Sequence, residues 1–395
     1  MRNSAFRRYL TGQLVSNVGT WMQRTAQGWL VLRLTHNNGV ALGIVTALQF
    51  LPQTLLGLYG GILADRYPKH RLLLITQSLL GLQALLLGIL TATGSIHLWH
   101  VYALAFALGT VTALDSPARH ALIGLLVGRD RILPAVSLNS AQFNTARILG
   151  PALAGVAIVA IDTGPVFLIN AATYLVVVAG LAALRRHETR PQPETTPLRA
   201  ALHHIRINPS LLLPVIIAGV VGTIGLNFQV TIPLMAEKVF RADAATFGAL
   251  VSAFGFGGLL GALQKARGRT VPTTQDLLRC TIVFGLLETA VGLMPTIGAF
   301  AVVLVLVGFS AAIMTTTANV LIQYHASPTM RGRVLSLYLL ALLGGTPLGS
   351  LTAGWTAQTL GARSSLVLGG LIITLFAVAL AVFTTTRIRA KARTD

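Results

Sequence analysis

Apolar runs recur along this chain from end to end, each about 20 residues long, enough to cross the hydrocarbon core of a bilayer as a helix. A large soluble core shows such a run once or twice, whereas here short polar gaps separate about a dozen of them. Charge is scarce to match: 10% of the 395 residues are charged and 54% are hydrophobic, where an average soluble domain is about 25% charged. The runs predict an all-α membrane protein with twelve spans. They fall near residues 9–34, 42–63, 71–93, 98–115, 135–161, 164–184, 211–235, 245–264, 276–294, 297–318, 333–355 and 364–386. Arg2, Arg7 and Arg8 precede the first run, but no small-residue cleavage site follows, so the first helix is read as retained.

The net charge of +19 comes from 30 basic and 11 acidic residues. In a soluble chain it would point to nucleic acid. The spacing excludes that reading here. With twelve spans, 23 cations fall on the side of the two termini, while Arg33, Lys238, Arg241 and Arg363 fall on the other. Arg24, Arg147 and Arg279 fall inside spans. Loops rich in Lys and Arg stay cytoplasmic, so both termini are expected in the cytoplasm of a bacterial inner membrane. Cys280 is the single cysteine, so an internal disulfide is impossible.

The longest polar interval carries Pro191, Pro193, Pro197 and Pro209 among several arginines. It reads as a cytoplasmic linker, 188–209, between six-helix bundles at 1–187 and 210–395. Within it, Leu198–Ile207 is either a short helix on the anionic inner leaflet or a charged tether. The halves echo each other. Gly61 and a following basic cluster recur as Gly261 with Lys265, Arg267 and Arg269, where Lys265 replaces an aspartate. Gly150-Pro151 in span 5 is echoed by Thr346-Pro347 in span 11. Such repeats are typical of transporter folds.

Gly60-Gly61-Ile62-Leu63-Ala64-Asp65-Arg66-Tyr67-Pro68-Lys69-His70-Arg71 joins spans 2 and 3. It resembles the signature loop of the major facilitator superfamily, with Pro68 where that pattern has a glycine. The resemblance narrows with Asp115-Ser116-Pro117-Ala118-Arg119-His120, with the stretch from Asn139 to Pro151, and with Arg331-Gly332-Arg333-Val334. Their order is similar to the enterobactin-exporter and drug-efflux branch. The resemblance implies a conformational clamp of Gly61, Asp65, Arg66 and Arg71 with Arg331 and Arg333, working in one of two alternating states. Gly150, Pro151 and Gly155 resemble the helix-5 motif of the superfamily's antiporters; ordinary close packing of small residues explains them equally.

Polar groups inside spans suggest a substrate path. Gln13, Asn17, Arg24 and Gln27 share one face of span 1. A charge at bilayer depth needs a partner or a wet cavity. That face is expected to line a central cavity with Arg147, Asn227 and Asn319, with Gln229 and Gln323 as lesser candidates. Glu288 is the one carboxylate well inside a span and Asp115 stands at a span end; both are candidates for proton coupling. The alternative is structural: Arg147 bonded to carbonyls and Glu288 paired with a neighbour.

Signals for catalysis are missing. There is no H-E-x-x-H, no C-x-x-C and no phosphate-loop lysine, so no cofactor, metal or ATP is expected. Gly255-Phe256-Gly257-Gly258 lies inside an apolar run and follows no strand. The expectation is a monomeric secondary transporter, in contact with membrane lipids, that exports small organic molecules such as drugs or siderophores against protons. Uptake or lipid flipping by the same fold is the alternative. A membrane-embedded transferase is a third reading, disfavoured because His97 and His100 have no acid beside them.

Overall fold

A computed structural model describes residues 4–127, 132–183, 198–267, 270–327 and 330–391. These residues form helices and connecting turns, with no strand among them. The helices are α1 (Ser4–Leu34), α2 (Gly39–Arg66), α3 (Lys69–Ala92), α4 (Leu98–Val127), α5 (Ile132–Ile161), α6 (Thr163–Ala182), α7 (Leu198–Ile207) and α8 (Pro209–Ile224). They continue as α9 (Phe228–Leu234), α10 (Ala244–Ala266), α11 (Thr274–Leu293), α12 (Ile297–His325), α13 (Arg331–Gly344), α14 (Thr346–Thr359) and α15 (Ala362–Lys391). Among the described residues, 10 helical stretches are long and apolar enough to cross a membrane. Two of them join shorter helices, at Pro209–Val239 and Arg331–Thr359. α1 and α11 are long enough but less apolar, α1 through its amide and hydroxyl side chains and α11 through Asp276, Arg279 and Glu288.

Short polar residues start the helices where the sequence places its turns. Asn38 accepts from the backbone N–H groups of Val40 (2.9 Å) and Ala41 (3.1 Å) to cap α2. Thr273 and Asp276 form a reciprocal capping box on α11. Asp162 caps α6 through the Thr163 N–H at 2.6 Å and receives Arg33 at the same distance. Partial burial pushes the Asp162 carboxyl up, but the Thr163 N–H and the Arg33 guanidinium outweigh it and hold it below the ordinary aspartate value.

The chain divides into two compact units, Met1–Glu194 with Arg241–Ser252, and Thr195–Phe240 with Ala253–Asp395. The first buries Phe6, Tyr9, Leu73, Ala118, Ile123 and Leu181 in one cluster and Leu80, Ala84, Leu108 and Tyr174 in another. Large apolar side chains elsewhere face outward, Leu175 at 69% exposure among them, as lipid-facing helix surfaces require.

Two glycines let α2 and α4 come close, each facing backbone carbonyls beside a proline of the other helix. Proline has no N–H, so it leaves the carbonyl four residues before it without a helix bond. Gly109 of α4 faces the carbonyls just before Pro52: an added Cβ would overlap the Gln49 oxygen and stand 3.1 Å from the Leu48 oxygen that Pro52 frees. Pro117 frees the Ala113 carbonyl, which faces Gly60 of α2 so closely that no side chain fits there. α4 runs through Pro117 to Val127, well beyond the boundary at residue 115 expected from the sequence. Likewise α12 reaches His325 rather than 318.

In the second unit the helix breaks at Gly225, Leu226 and Asn227, between α8 and α9. It ends in a single wide turn, Met235–Val239, with Phe240 N–H bonded to the Met235 carbonyl at 3.1 Å. The segment α13–α14 is interrupted at Gly345. Gly349 packs against Asn227, whose Nδ2 would be 2.7 Å from an added Cβ. α7 is helical, with Ala201 and Ile205 buried and Arg199, His203 and Arg206 exposed. The remainder of the expected linker, up to residue 197, lies outside the described residues.

Candidate functional site

The first unit is organised around a buried ion pair. Asp115, fully buried on α4, receives four donors. Thr76 Oγ1 and Gln77 Nε2 of α3 each donate to its Oδ1 at 2.7 Å. One turn on, Arg119 donates to Oδ2 through Nε at 2.9 Å and through Nη2 in a shorter contact. Arg119 Nη1 then reaches Gln13 Oε1 (3.1 Å) and Asn17 Oδ1 (3.4 Å) on α1. Asn17 Nδ2 donates to Gln142 Oε1 of α5 at 3.2 Å. One acid thus ties α1, α3, α4 and α5 together. Charge-assisted and bidentate bonds of this kind are the strong ones, and two charges in low-dielectric surroundings survive only when so ligated.

The polar face of α1 is divided among several partners. Gln13 and Asn17 join Arg119. Thr20 and Tyr174 share a hydrogen bond of 3.0 Å. Gln23 donates to Gln83 (2.9 Å) and accepts from Asn170 (2.6 Å). Gln27 accepts from Gln49 Nε2 at 3.2 Å, and its own Nε2 is buried with no partner among the described residues. The Arg24 guanidinium lies 5.1 Å from the centre of the Trp21 ring, a cation–π contact. Its Nε is buried and makes no hydrogen bond among the described residues. Arg147 is half-buried on α5, one turn before Pro151.

The helix-5 motif is a close-packed seam within the same unit. A Cβ on Gly150 would lie 2.5 Å from Trp21 Cβ. One on Gly155 would lie 2.6 Å from the Ala244 carbonyl, and Gly248 faces the Pro151 carbonyl from the opposite side. Ser252 Oγ donates to the Ile148 carbonyl at 2.6 Å. Trp29 stacks on Phe247 with ring centres 5.8 Å apart.

In the second unit Glu288 is 2% exposed on α11, and its Oε2 has no donor among the described residues. Asn227 Nδ2 donates to the carbonyls of Thr223 (2.8 Å) and Ile224 (3.1 Å), while its Oδ1 is buried without a donor among the described residues. Asn319 on α12 accepts a short hydrogen bond from Gln323. Of the residues assigned to a clamp, Gly61 is half-buried, and a Cβ added there would meet nothing within 4 Å among the described residues. Arg66, Arg71 and Arg331 are exposed and Arg333 is half-buried. The Asp65 side chain lies outside the described set. No cluster of His, Cys, Asp or Glu suited to a metal ion occurs among the described residues.

Sequence reasoning joined Gln13 to Asn17 but not to Asp115, and it left Arg119, Thr76, Gln77 and Gln142 out of the site. One signal was present: Asp115 and Arg119 stand four apart, the spacing of a helical ion pair. It becomes legible only once the helix is known to continue through Pro117.

The family model described as "Transmembrane secretion effector" matches residues 1–395. The chain belongs to that family, within the major facilitator superfamily. It is a multi-pass membrane transporter, not an enzyme. Among curated relatives, the staphyloferrin A transporter of Staphylococcus aureus is 27% identical over 349 residues, covering 87% of each chain. The enterobactin exporter EntS of Salmonella choleraesuis is 24% identical over 378 residues, covering 93% of this chain and 90% of its own. Two solved structures share the fold. One is a POT family transporter in complex with 5-aminolevulinic acid, with TM-score 0.78, 12% identity and 96% of each chain covered. The other is an inward-facing bacterial homologue of the human lysosomal transporter Spinster, with TM-score 0.74, 13% identity and 96% of each chain covered.

Proposed function

We propose that this transporter exports small organic anions of the siderophore class in exchange for protons, by alternating access. The observation that carries the substrate class is the pair of relatives, from two distant bacteria, named for staphyloferrin A and enterobactin and matched over most of this chain. α1 and α11, each long enough to span, bring the ten apolar stretches to twelve spans. The bias of Lys and Arg puts both termini in the cytoplasm of a bacterial inner membrane. α7, with two exposed arginines, rests on the anionic inner leaflet. The chain works as a monomer.

Siderophores carry carboxylate or catecholate oxygens, which a cation at bilayer depth attracts. Arg24 supplies one, held over Trp21 with its Nε free to donate. Gln27, Asn227 and Asn319 add neutral hydrogen-bonding groups, and Arg147 a second cation. Asp65 with Arg66, Arg71, Arg331 and Arg333 stabilises one of the two alternating states, and a contact made in one state alone shifts the equilibrium by its own differential energy.

Purified protein in proteoliposomes tests this directly, with iron-free enterobactin, staphyloferrin A and a panel of cationic drugs under an imposed pH gradient. Transport of the siderophores against the direction of proton flow, absent from empty liposomes, is the expected result. Transport of the cationic drugs alone, or siderophore movement along with protons, refutes the reading.

A further inference from the structure

The two buried carboxyl groups sort by their surroundings. Asp115 meets four donors, two of them from a guanidinium. Glu288 meets none at Oε2 among the described residues. Its carboxyl is wedged between the break in the α8–α9 segment and α15. A Cβ on Gly225 would lie 3.0 Å from Oε2, and one on Gly369 would lie 3.3 Å from Oε1. Phe284 and Ile373 close in on Gly225 from the other sides.

No charge among the described residues compensates it. α8 and α9 contain no ionisable residue. On α12 the ionisable residues, Tyr324 and His325, stand at the far end. On α15 Arg363 donates through Nη1 to the carbonyls of Gly292 (3.1 Å) and Met294 (2.6 Å), at the end of α11, and the next charged residue is Arg387. Past α9, Glu237 and Lys238 lie in the wide turn, where Lys238 donates to Gln358 at 2.7 Å. On α11 itself Asp276, Arg279 and Cys280 are two turns or more away. A carboxylate without donors or a cation is too costly to bury, whereas a neutral carboxylic acid is tolerated. The wall on its Oε2 side is the place where the α8–α9 helix is interrupted, and there the buried Oδ1 of Asn227 also lacks a donor among the described residues.

We infer that Glu288, and not Asp115, carries the proton of the transport cycle, and that the break at 225–227 is the gate that exposes it. The inference rests on the proton coupling proposed above. While Gly225 packs on the carboxyl, Glu288 is a neutral acid. When the break moves away, water from one compartment enters and takes the O–H proton. The water that takes it becomes hydronium. Once the protein has turned to the other compartment, the carboxylate takes a proton from hydronium there, and the break closes on the neutral acid. One proton crosses per round. Asp115, locked by Arg119, keeps its charge throughout.

Two measurements on the full chain test it. Infrared spectra of the purified protein in nanodiscs at neutral pH are expected to show the C=O stretch of a buried protonated carboxyl. Glu288→Gln removes it and Asp115→Asn leaves it in place. Absence of the band from the wild type, or its survival in Glu288→Gln, overturns the assignment. In proteoliposomes with enterobactin and staphyloferrin A as probes, Glu288→Gln is expected to lose the response to a pH gradient yet retain exchange of siderophore inside for siderophore outside without one. Glu288→Asp, which keeps a carboxyl, retains the band and part of the response, so a folding defect in the Gln variant does not decide the matter. Gradient-driven transport at wild-type rate in Glu288→Gln overturns the inference and leaves the export reading standing. A wild type indifferent to the gradient overturns proton coupling itself, and the coupling role of Glu288 with it.

Discussion

Replacing Arg119 by Met leaves the fully buried Asp115 carboxylate with only Thr76 and Gln77 as partners, and leaves the Gln13 and Asn17 oxygens without their donor. Removing one member of a buried pair costs about 3–5 kcal/mol, because the other charge stays desolvated. A single hydrogen bond from a neutral donor to a charged acceptor is worth less, about 1.5–3 kcal/mol. Thr76→Val, which deletes one 2.7 Å bond to Asp115 while Arg119 and Gln77 remain, is therefore predicted to cost less than Arg119→Met. The double replacement Asp115→Leu with Arg119→Met removes both charges, and similar exchanges elsewhere are near neutral. It should recover most of the loss, with a coupling energy on the order of 2–3 kcal/mol. Reversible unfolding in mixed micelles with rising dodecyl sulfate, followed by tryptophan fluorescence, measures each variant without reference to transport. The reasoning fails if Arg119→Met lies within about 1 kcal/mol of wild type, or if the double variant is as unstable as the single one.

Other substitutions test separate parts of the account. Gly222→Ala puts a methyl against the Leu342 carbonyl of α13, and overpacking predicts a loss of about 1–3 kcal/mol in the same unfolding assay; an unchanged midpoint contradicts the close approach. Asp162→Asn removes an ion pair whose partners are 55% and 59% exposed, so its cost stays under about 1 kcal/mol. The folded carboxyl is held below its unfolded value, so that small contribution is present above the unfolded pKa and disappears as pH falls through the folded one. Stability of wild type and variant should converge in acid, and a gap that widens there refutes the assignment. Asp65→Asn is expected to slow transport without reducing membrane insertion; wild-type turnover removes the clamp. Arg24→Ala is expected to weaken binding of siderophore anions more than of neutral compounds, and equal losses count against a charge-selecting path.

The fold was legible because bilayer-length apolar runs leave few alternatives, and the centres of those runs are where the helices lie. Their ends were less legible. Asp115-Ser116-Pro117 reads as a loop in one dimension, yet the carbonyl that Pro117 frees turns toward Gly60, and the helix continues. That hid Arg119, which the charge pattern assigns to the cytoplasmic loops. The polar face of α1 was visible from spacing alone, but spacing does not say which helices surround it. In the folded chain Arg119, Tyr174, Gln83, Asn170 and Gln49 take most of its side chains. Glu288 stood out as a lone acid in an apolar run; its neighbours Gly225 and Gly369 are far away in sequence and carry no signal of their own.

Proton movement during substrate transport tests the central claim most directly. A pH-sensitive dye is trapped in proteoliposomes with no imposed gradient, and enterobactin or staphyloferrin A is added outside. Exchange predicts that the lumen turns alkaline as the siderophore enters, and that the signal vanishes in empty liposomes. Siderophore entry with no change in lumenal pH would contradict a proton-driven exporter.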